Sequence, residues 1–277
     1  MIPFPTMSLR CVPSVFVPGA MLLALVTACA AVYPELQTPV RSAEGQELEA
    51  PPKGLRWIAF KGAEIPPETR DGRKWGGDLG RRAPDPYAVL YMNGRLLLKT
   101  PPQGGTLVPT WPDGPAGNFR IHRDDRFRVE LWDSNVLNDH PIGYKEVGSL
   151  DEGVDTSGEV EIECNSGARV RLAFEPAHAR LGLGLYYELR IGEVFVTRVY
   201  EESPAGRAGI KPGDQILALE GKPVSGLKAL EVQSILNTPH MTGLPMKIRH
   251  KVDGPEAAVT VKEGAIFPLF SEMGTLR

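Results

Sequence analysis

A chain of 277 residues exceeds what one small hydrophobic core organises, which predicts two domains of about 100 to 150 residues each. Lysine and arginine total 31 against 34 aspartate and glutamate, a net charge of −3, so there is no basic surplus for a phosphate backbone and nucleic acid is not an expected partner. With 42% hydrophobic residues, 30 glycines and 26 prolines, the composition favours a globular, turn-rich, mainly β protein over a helical bundle.

At the N-terminus, Arg10 supplies a sparse positive region, and Met7 just ahead of it is an alternative start. The run from Val15 to Val26 is apolar and uncharged but too short to span a bilayer as a mature helix, which marks a secretion signal. It ends in Val26-Thr27-Ala28-Cys29, which resembles the lipobox of bacterial lipoproteins, where small residues precede a cysteine that is lipidated and becomes the new N-terminus. The resemblance implies a signal peptide over 1–28, lipidation at Cys29, and a cell-envelope protein anchored to a bacterial membrane and facing the periplasm or exterior. The alternative is ordinary signal cleavage nearby with Cys29 incidental. Of three cysteines, Cys11 would leave with the signal and Cys29 would carry lipid, so Cys164 has no intramolecular disulfide partner. Residues 29–54, rich in Glu, Pro, Gln and Ala, read as a flexible tether.

From Leu55 the pattern changes to strands. Leu55 to Phe60 is a short apolar run, and the two-residue step Asn93-Gly94 between Tyr87–Met92 and Arg95–Lys99 is a hairpin signal. Phe127, Val129 and Leu131 alternate on one face, as do Val160 with Ile162, and Val170 with Leu172 and Phe174. Alternating strands with polar turns and no long helix predict an antiparallel sandwich over 55–176. Asp85-Pro86-Tyr87 opening a strand, Lys99-Thr100 closing the next, Thr106 to Trp111, and Leu131-Trp132-Asp133 followed by Asp139 to Gly143 together resemble a C2 domain. That resemblance implies calcium as a candidate cofactor and a phospholipid surface as a candidate partner. The implied ligands are Asp85 and Asp78 from the first loop and Asp133, Asn135 and Asp139 from the third. Asn135 stands where an aspartate is usual and the third loop is short, which implies weak binding, and the bland reading is that these acids cap turns. Arg73, Lys74, Arg81 and Arg82 around Trp75 read as a solvated loop or as a contact for anionic headgroups.

The last stretch, 177–277, carries the most specific pattern. Gly182-Leu183-Gly184-Leu185 opens an alternating strand through Arg190, Ile191-Gly192 turns it, and Glu193 to Val199 returns. Ser203-Pro204 then starts a short helix, and Gly209-Ile210-Lys211-Pro212-Gly213-Asp214 turns into the next strand. These features resemble a PDZ domain, a small β-barrel with two short helices that binds peptide C-termini or β-strands. The resemblance implies that the amides of Leu183, Gly184 and Leu185 hold a peptide carboxylate and that the peptide adds as a strand along Leu185–Arg190. A helix over Leu227–Asn237 forms the other wall, with Val232, Ile235 and Leu236 facing the groove or the core. Lys228 or Ala229 begins its groove face, and neither is the histidine that directs Ser or Thr selection in many such domains.

Catalysis is not expected. The five histidines, His122, His140, His178, His240 and His250, form no His-Glu-x-x-His pattern and stand beside no Gly-x-Ser-x-Gly elbow. No glycine-rich phosphate loop is followed by Lys-Ser/Thr. The expected function is therefore that of a membrane-anchored adaptor. The alternatives are a structural subunit of an envelope or secretion assembly, with both modules used only for fixed contacts, or a regulator that delivers substrates to a separate protease. For the PDZ unit itself the alternative is a packing or dimerisation unit with an empty groove.

Overall fold

The computed structural model describes residues 34–45, 48–75, 83–148, 158–251 and 253–273. The expected signal peptide, Cys29, Asp78, Arg81 and Arg82 lie outside them. In chain order, β1 (Leu36–Gln37) and β2 (Arg41–Ser42) precede β3 (Leu55–Glu64), β4 (Pro86–Met92), β5 (Arg95–Lys99), β6 (Ala116–Arg120), β7 (Phe127–Asp133), β8 (His140–Val147), β9 (Gly158–Glu163) and β10 (Arg169–Pro176). There follow β11 (Arg180–Gly182), β12 (Leu185–Arg190), β13 (Glu193–Val199), α1 (Pro204–Arg207), β14 (Gln215–Leu219) and β15 (Lys222–Pro223). The chain ends with α2 (Ala229–Asn237), β16 (Leu244–Arg249), β17 (Glu256–Val261), β18 (Gly264–Ile266) and α3 (Phe270–Met273). The protein is mainly β, as composition and alternation predict. No helix among the described residues is long and apolar enough to cross a membrane.

Two compact units result. One joins Ala50–His178 to the residues from Pro268 onward; the other joins the described residues up to Glu49 to Ala179–Phe267. The first is a sandwich of two four-stranded antiparallel sheets, ordered β6-β3-β10-β9 and β5-β4-β7-β8. Its inner faces bury Ile58, Phe60, Leu90, Phe127, Leu131 and Leu172, and each large apolar side chain so buried stabilises the fold by roughly 1.5–3 kcal/mol relative to exposure. Strand β3 keeps Phe60 and Ala63 both inside because its register with β10 shifts between Arg171 and Leu172, where a bulge resets the side-chain phase. The Asn93-Gly94 turn has φ of 52° and 74°, the left-handed pair that a two-residue hairpin matched to strand twist requires. The chain beyond Phe267 returns to this unit, where Asn118 Nδ2 donates to the carbonyls of His178 and Pro268 at 2.9 and 3.1 Å.

The second unit has the layout that the PDZ resemblance implies. Its main sheet runs β1-β12-β13-β14-β16-β17, with β15 on β14, and a smaller sheet runs β18-β11-β2. Its core gathers Leu185, Tyr187, Val196, Ile216, Leu219, Val232, Leu236 and Ile248. Ser203 caps α1 by accepting from the Gly206 amide at 3.1 Å, with Pro204 in the first turn, where its missing N–H is not needed. Helix α2 starts two residues later than the sequence suggests, because Leu227 and Lys228 remain extended. Glu231 then accepts from the Lys228 amide at 2.7 Å and closes the helix start.

The largest departure concerns the expected tether over 29–54. Residues 36–37 and 41–42 form β1 and β2 and pair with the PDZ unit, so this part is ordered backbone. Arg41 adds a charged contact to Glu263 and donates to the Asn237 carbonyl at 3.0 Å.

Cys164 is a free, buried thiol. Burial pushes its pKa up to about 11, so the native site disfavours the thiolate and its stabilising effect is complete below the ordinary thiol pKa and lost as pH rises through the folded value. Cys164 in the native protein is accordingly expected to resist iodoacetamide at pH 8 and to be alkylated after unfolding in guanidinium, as read by mass spectrometry of the peptide that contains it. Rapid native alkylation at Cys164 would contradict its placement.

Candidate peptide-binding site

The loop that joins β11 to β12 brings Leu183, Gly184 and Leu185 together, as the sequence reading requires. The side chains of Leu183 and Leu185 lie in the core, so only their backbone groups can face a ligand. Gly184 has a φ of 83°, and a Cβ built on it would stand 2.4 Å from Ser203 Cβ and 3.0 Å from Ile266. Its carbonyl accepts from the Tyr200 amide at 2.9 Å and the Ser203 hydroxyl at 3.3 Å, while the Leu183 carbonyl accepts from the Ala205 amide at 3.0 Å. The loop is thus braced by the start of α1, and its middle glycine is a packing requirement as much as a ligand contact.

On α2, Val232 and Leu236 are core residues, and Ile235 is partly buried against the same core. Ala229, the first helical residue, also packs there, and Lys228 occupies the N-cap position of the helix.

Along β12 lies a strand that sequence reasoning did not anticipate. β1 pairs with it antiparallel, Leu36 opposite Tyr187 and Gln37 opposite Tyr186. Thr38 extends the ladder, its amide donating to the Leu185 carbonyl at 3.0 Å. Its hydroxyl lies 3.0 Å from the same carbonyl and accepts from the Leu185 amide at 3.3 Å, and Thr38 is only 1% exposed. Side chains alternate across this short strand. Leu36 packs on the core, whereas Gln37 donates to the Tyr200 hydroxyl at 2.8 Å, which in turn meets the Tyr186 hydroxyl at 2.6 Å. Glu35 reaches β13, accepting from Thr197 Oγ1 at 2.6 Å and pairing with Arg198, whose guanidinium stacks 3.9 Å over the Tyr186 ring. The Arg198 hydrogen bond holds the Glu35 carboxyl below the ordinary carboxylate range. Its contribution is therefore present above that range and lost as pH falls through the lowered folded value. The only sequence signal for this strand is the alternation in Leu36-Gln37-Thr38, too short to stand out among prolines.

At one end of the sandwich Asp85, Asp133 and Asp139, implied as ligands, accept hydrogen bonds from loop donors, and Asn135 lies on the same loop as Asp133 and Asp139. Asp133 accepts from the Asp85 amide at 2.8 Å, and Asp85 accepts from the Gly105 amide at 2.6 Å. Asp139 accepts from the Asn135 amide at 3.0 Å and the Tyr87 hydroxyl at 2.8 Å. These bonds, the Asn135 amide first, lower the Asp139 pKa, while burial followed by Asp139 raises that of Tyr87. The Asn135 side-chain amide donates to the Asp133 carbonyl at 3.2 Å, so its nitrogen faces the loop. Among the described residues no group of three or more His, Cys, Asp or Glu is disposed to hold a metal ion, and the donors as arranged fit turn capping better than calcium. At the tip of the same loop Val136 and Leu137 are 98% and 91% exposed, an apolar pair the sequence reading passed over in favour of its acids. Near the basic loop, the Trp75 ring is buried and its indole donates to the Pro66 carbonyl at 2.7 Å, so it is not offered to a headgroup.

Residues 195–249 match the PDZ domain family. Two curated relatives match this chain over the PDZ unit alone. The chloroplastic carboxyl-terminal-processing peptidase 1 of Arabidopsis thaliana is 39% identical over 61 residues, 22% of this chain and 12% of that protein. The carboxy-terminal processing protease CtpA of Bacillus subtilis is 31% identical over 90 residues, 32% and 18% respectively. The chain thus spans less than a fifth of the length of these relatives. Among solved structures, a C2 domain superposes with a TM-score of 0.33 at 15% identity, over 44% of this chain and 96% of that one. The HtrA3 PDZ domain bound to the peptide FGRWV superposes at 0.22 and 23% identity, over 31% and 69%. Scores this low add nothing to the strand pairing described above. The chain therefore contains a PDZ domain, beside an antiparallel β-sandwich.

Gly184→Ala is expected to destabilise the protein by roughly 2–4 kcal/mol, combining left-handed strain with overpacking against Ser203. Chemical denaturation measures this, and an unchanged midpoint would contradict the loop geometry. Substitution there is consequently no clean probe of ligand binding.

Proposed function

We propose that the chain is a binding protein of the bacterial cell envelope, anchored through Cys29, whose PDZ unit captures extended peptide segments by adding them to the edge of β12. The observation that carries this reading is the backbone ladder between Leu36–Thr38 and Leu185–Tyr187. An edge that already pairs with an added antiparallel strand has the geometry that β-augmentation needs. Both units are of fold types that present surfaces and grooves, and no catalytic constellation enters the reading. The lipobox-like Val26-Thr27-Ala28-Cys29 supports the anchor, and confinement at a membrane raises the effective concentration of partners on the same surface.

A role for the sandwich at a lipid or protein surface is favoured by Val136 and Leu137, since two adjacent, almost fully exposed aliphatic side chains at a loop tip suit insertion into an apolar layer. This role is argued from the apolar tip alone, since the carboxylates beneath it accept hydrogen bonds within the loops.

Probing an immobilised library of extended peptides, half ending in free carboxylates and half blocked, with the full chain tests the central reading. Discrete sequence-dependent binders are expected, and they should be lost on deleting the β12 edge contacts by Tyr187→Pro in a variant shown to remain folded. A library without any binder, for the unaltered chain and for chains whose residues 35–38 have been displaced, would favour the structural-subunit alternative. The anchor is read separately, as Cys29→Ser should move the protein from the membrane fraction to the soluble one.

A further inference from the structure

The β12 edge is where a peptide would bind, yet in this chain it already has an occupant. Residues 35–38 run antiparallel to β12, spread their side chains alternately to its two sides, and use backbone pairing that an incoming ligand would use. Each position meets a dedicated neighbour: Glu35 meets Thr197 and Arg198, Leu36 the apolar core, Gln37 the hydroxyl of Tyr200, and Thr38 both backbone groups of Leu185. The chain does not stop at Thr38. The Pro39 carbonyl passes so close to Gly182 that a Cβ there would lie 2.7 Å away, and Arg41 and Ser42 then pair with Leu181 and Arg180 of β11. The corner beside Gly182 to Leu185, assigned from sequence to a terminal carboxylate, is thus shaped to let a polypeptide run through, with the Thr38 hydroxyl on the Leu185 amide.

Resting on the reading that β12 is a peptide-binding edge, we propose that residues Glu35–Thr38 are a built-in ligand of this groove. Its foreign ligands are internal extended segments of the same pattern, an acid, an aliphatic residue, an amide and a hydroxyl in succession, and not free carboxyl termini. The pattern follows from the groove. Arg198 and Thr197 recognise a carboxylate, the surface next to Tyr187 takes an aliphatic side chain, the Tyr186 and Tyr200 hydroxyl pair takes an amide donor, and Leu185 takes a small hydroxyl. Because the built-in strand is joined to the unit it covers, it competes at a high effective concentration, and a foreign segment binds in proportion to the fraction of molecules in which the edge is open.

The test uses the full chain, unaltered and carrying Leu36→Asp with Thr38→Lys, and a fluorescent peptide with the sequence of residues 34–43, blocked at both ends. Anisotropy titration is expected to show the altered chain binding this peptide about tenfold or more tighter than the unaltered chain, with no binding of the peptide's own Leu36→Asp counterpart. A second pair guards against misfolding. Glu35→Arg alone should raise peptide affinity, and adding Arg198→Glu should return it towards the unaltered value, with near-ultraviolet circular dichroism unchanged throughout. Equal affinity of the unaltered and altered chains would overturn occupancy in cis. Tighter binding of a peptide ending at Thr38 with a free carboxylate than of the blocked peptide would overturn the preference for internal segments. If the folded, opened chain bound library peptides but not this one, the built-in ligand would fall while the groove stood; if it bound none, the groove reading itself would fall.

Discussion

The edge of β12 governs this molecule. A strand at the margin of a sheet exposes a row of amides and carbonyls that must find partners in water, in another strand or in another chain. Here Leu36, Gln37 and Thr38 supply those partners from residues about 150 positions earlier in the chain, as the separation of 147 between Thr38 and Leu185 shows. Around that ladder the rest of the unit is arranged. The loop at Gly184 is held by Ser203 and Tyr200, the Tyr186, Tyr200 and Arg198 cluster receives the outward side chains, and β11 carries the segment onward.

Much of the fold was legible because its signals are local. Asn93-Gly94 specifies its hairpin through left-handed φ values, Ser203 caps α1 three residues away, and Asp214 closes its turn by accepting from the Lys211 amide at 2.9 Å. Inside-outside alternation along β7 and β10 places Phe127, Leu131, Leu172 and Phe174 in the sandwich core without reference to any distant residue. What was not legible depends on distant partners. Two-residue strands carry too little periodicity to be read, and the Pro- and Glu-rich composition around them points to a linker although residues 36–37 and 41–42 are paired. Gly184 reads from sequence only as an amide donor, and its packing requirement is visible only from the position of Ser203.

The acidic end of the sandwich teaches a related lesson. The spacing of Asp85, Asp133 and Asp139 is compatible with gathering a cation and equally with capping three loops, and the choice is made by where each oxygen finds a proton donor. In this chain the donors are the amides of Gly105, Asp85 and Asn135 and the hydroxyl of Tyr87. With its acids so engaged, the loop's distinctive feature becomes the exposed Val136 and Leu137 at its tip. The molecule thus combines a sheet edge paired by its own chain in one unit with an exposed apolar loop tip in the other.

The central claim is that the β12 edge is paired by residues 36–38 in solution, and amide hydrogen exchange at Thr38 addresses it most directly. Because the Thr38 amide donates to the Leu185 carbonyl at 3.0 Å in a nearly inaccessible position, its exchange should be slowed by about tenfold or more relative to an unstructured chain. Exchange at the unstructured rate would contradict the account.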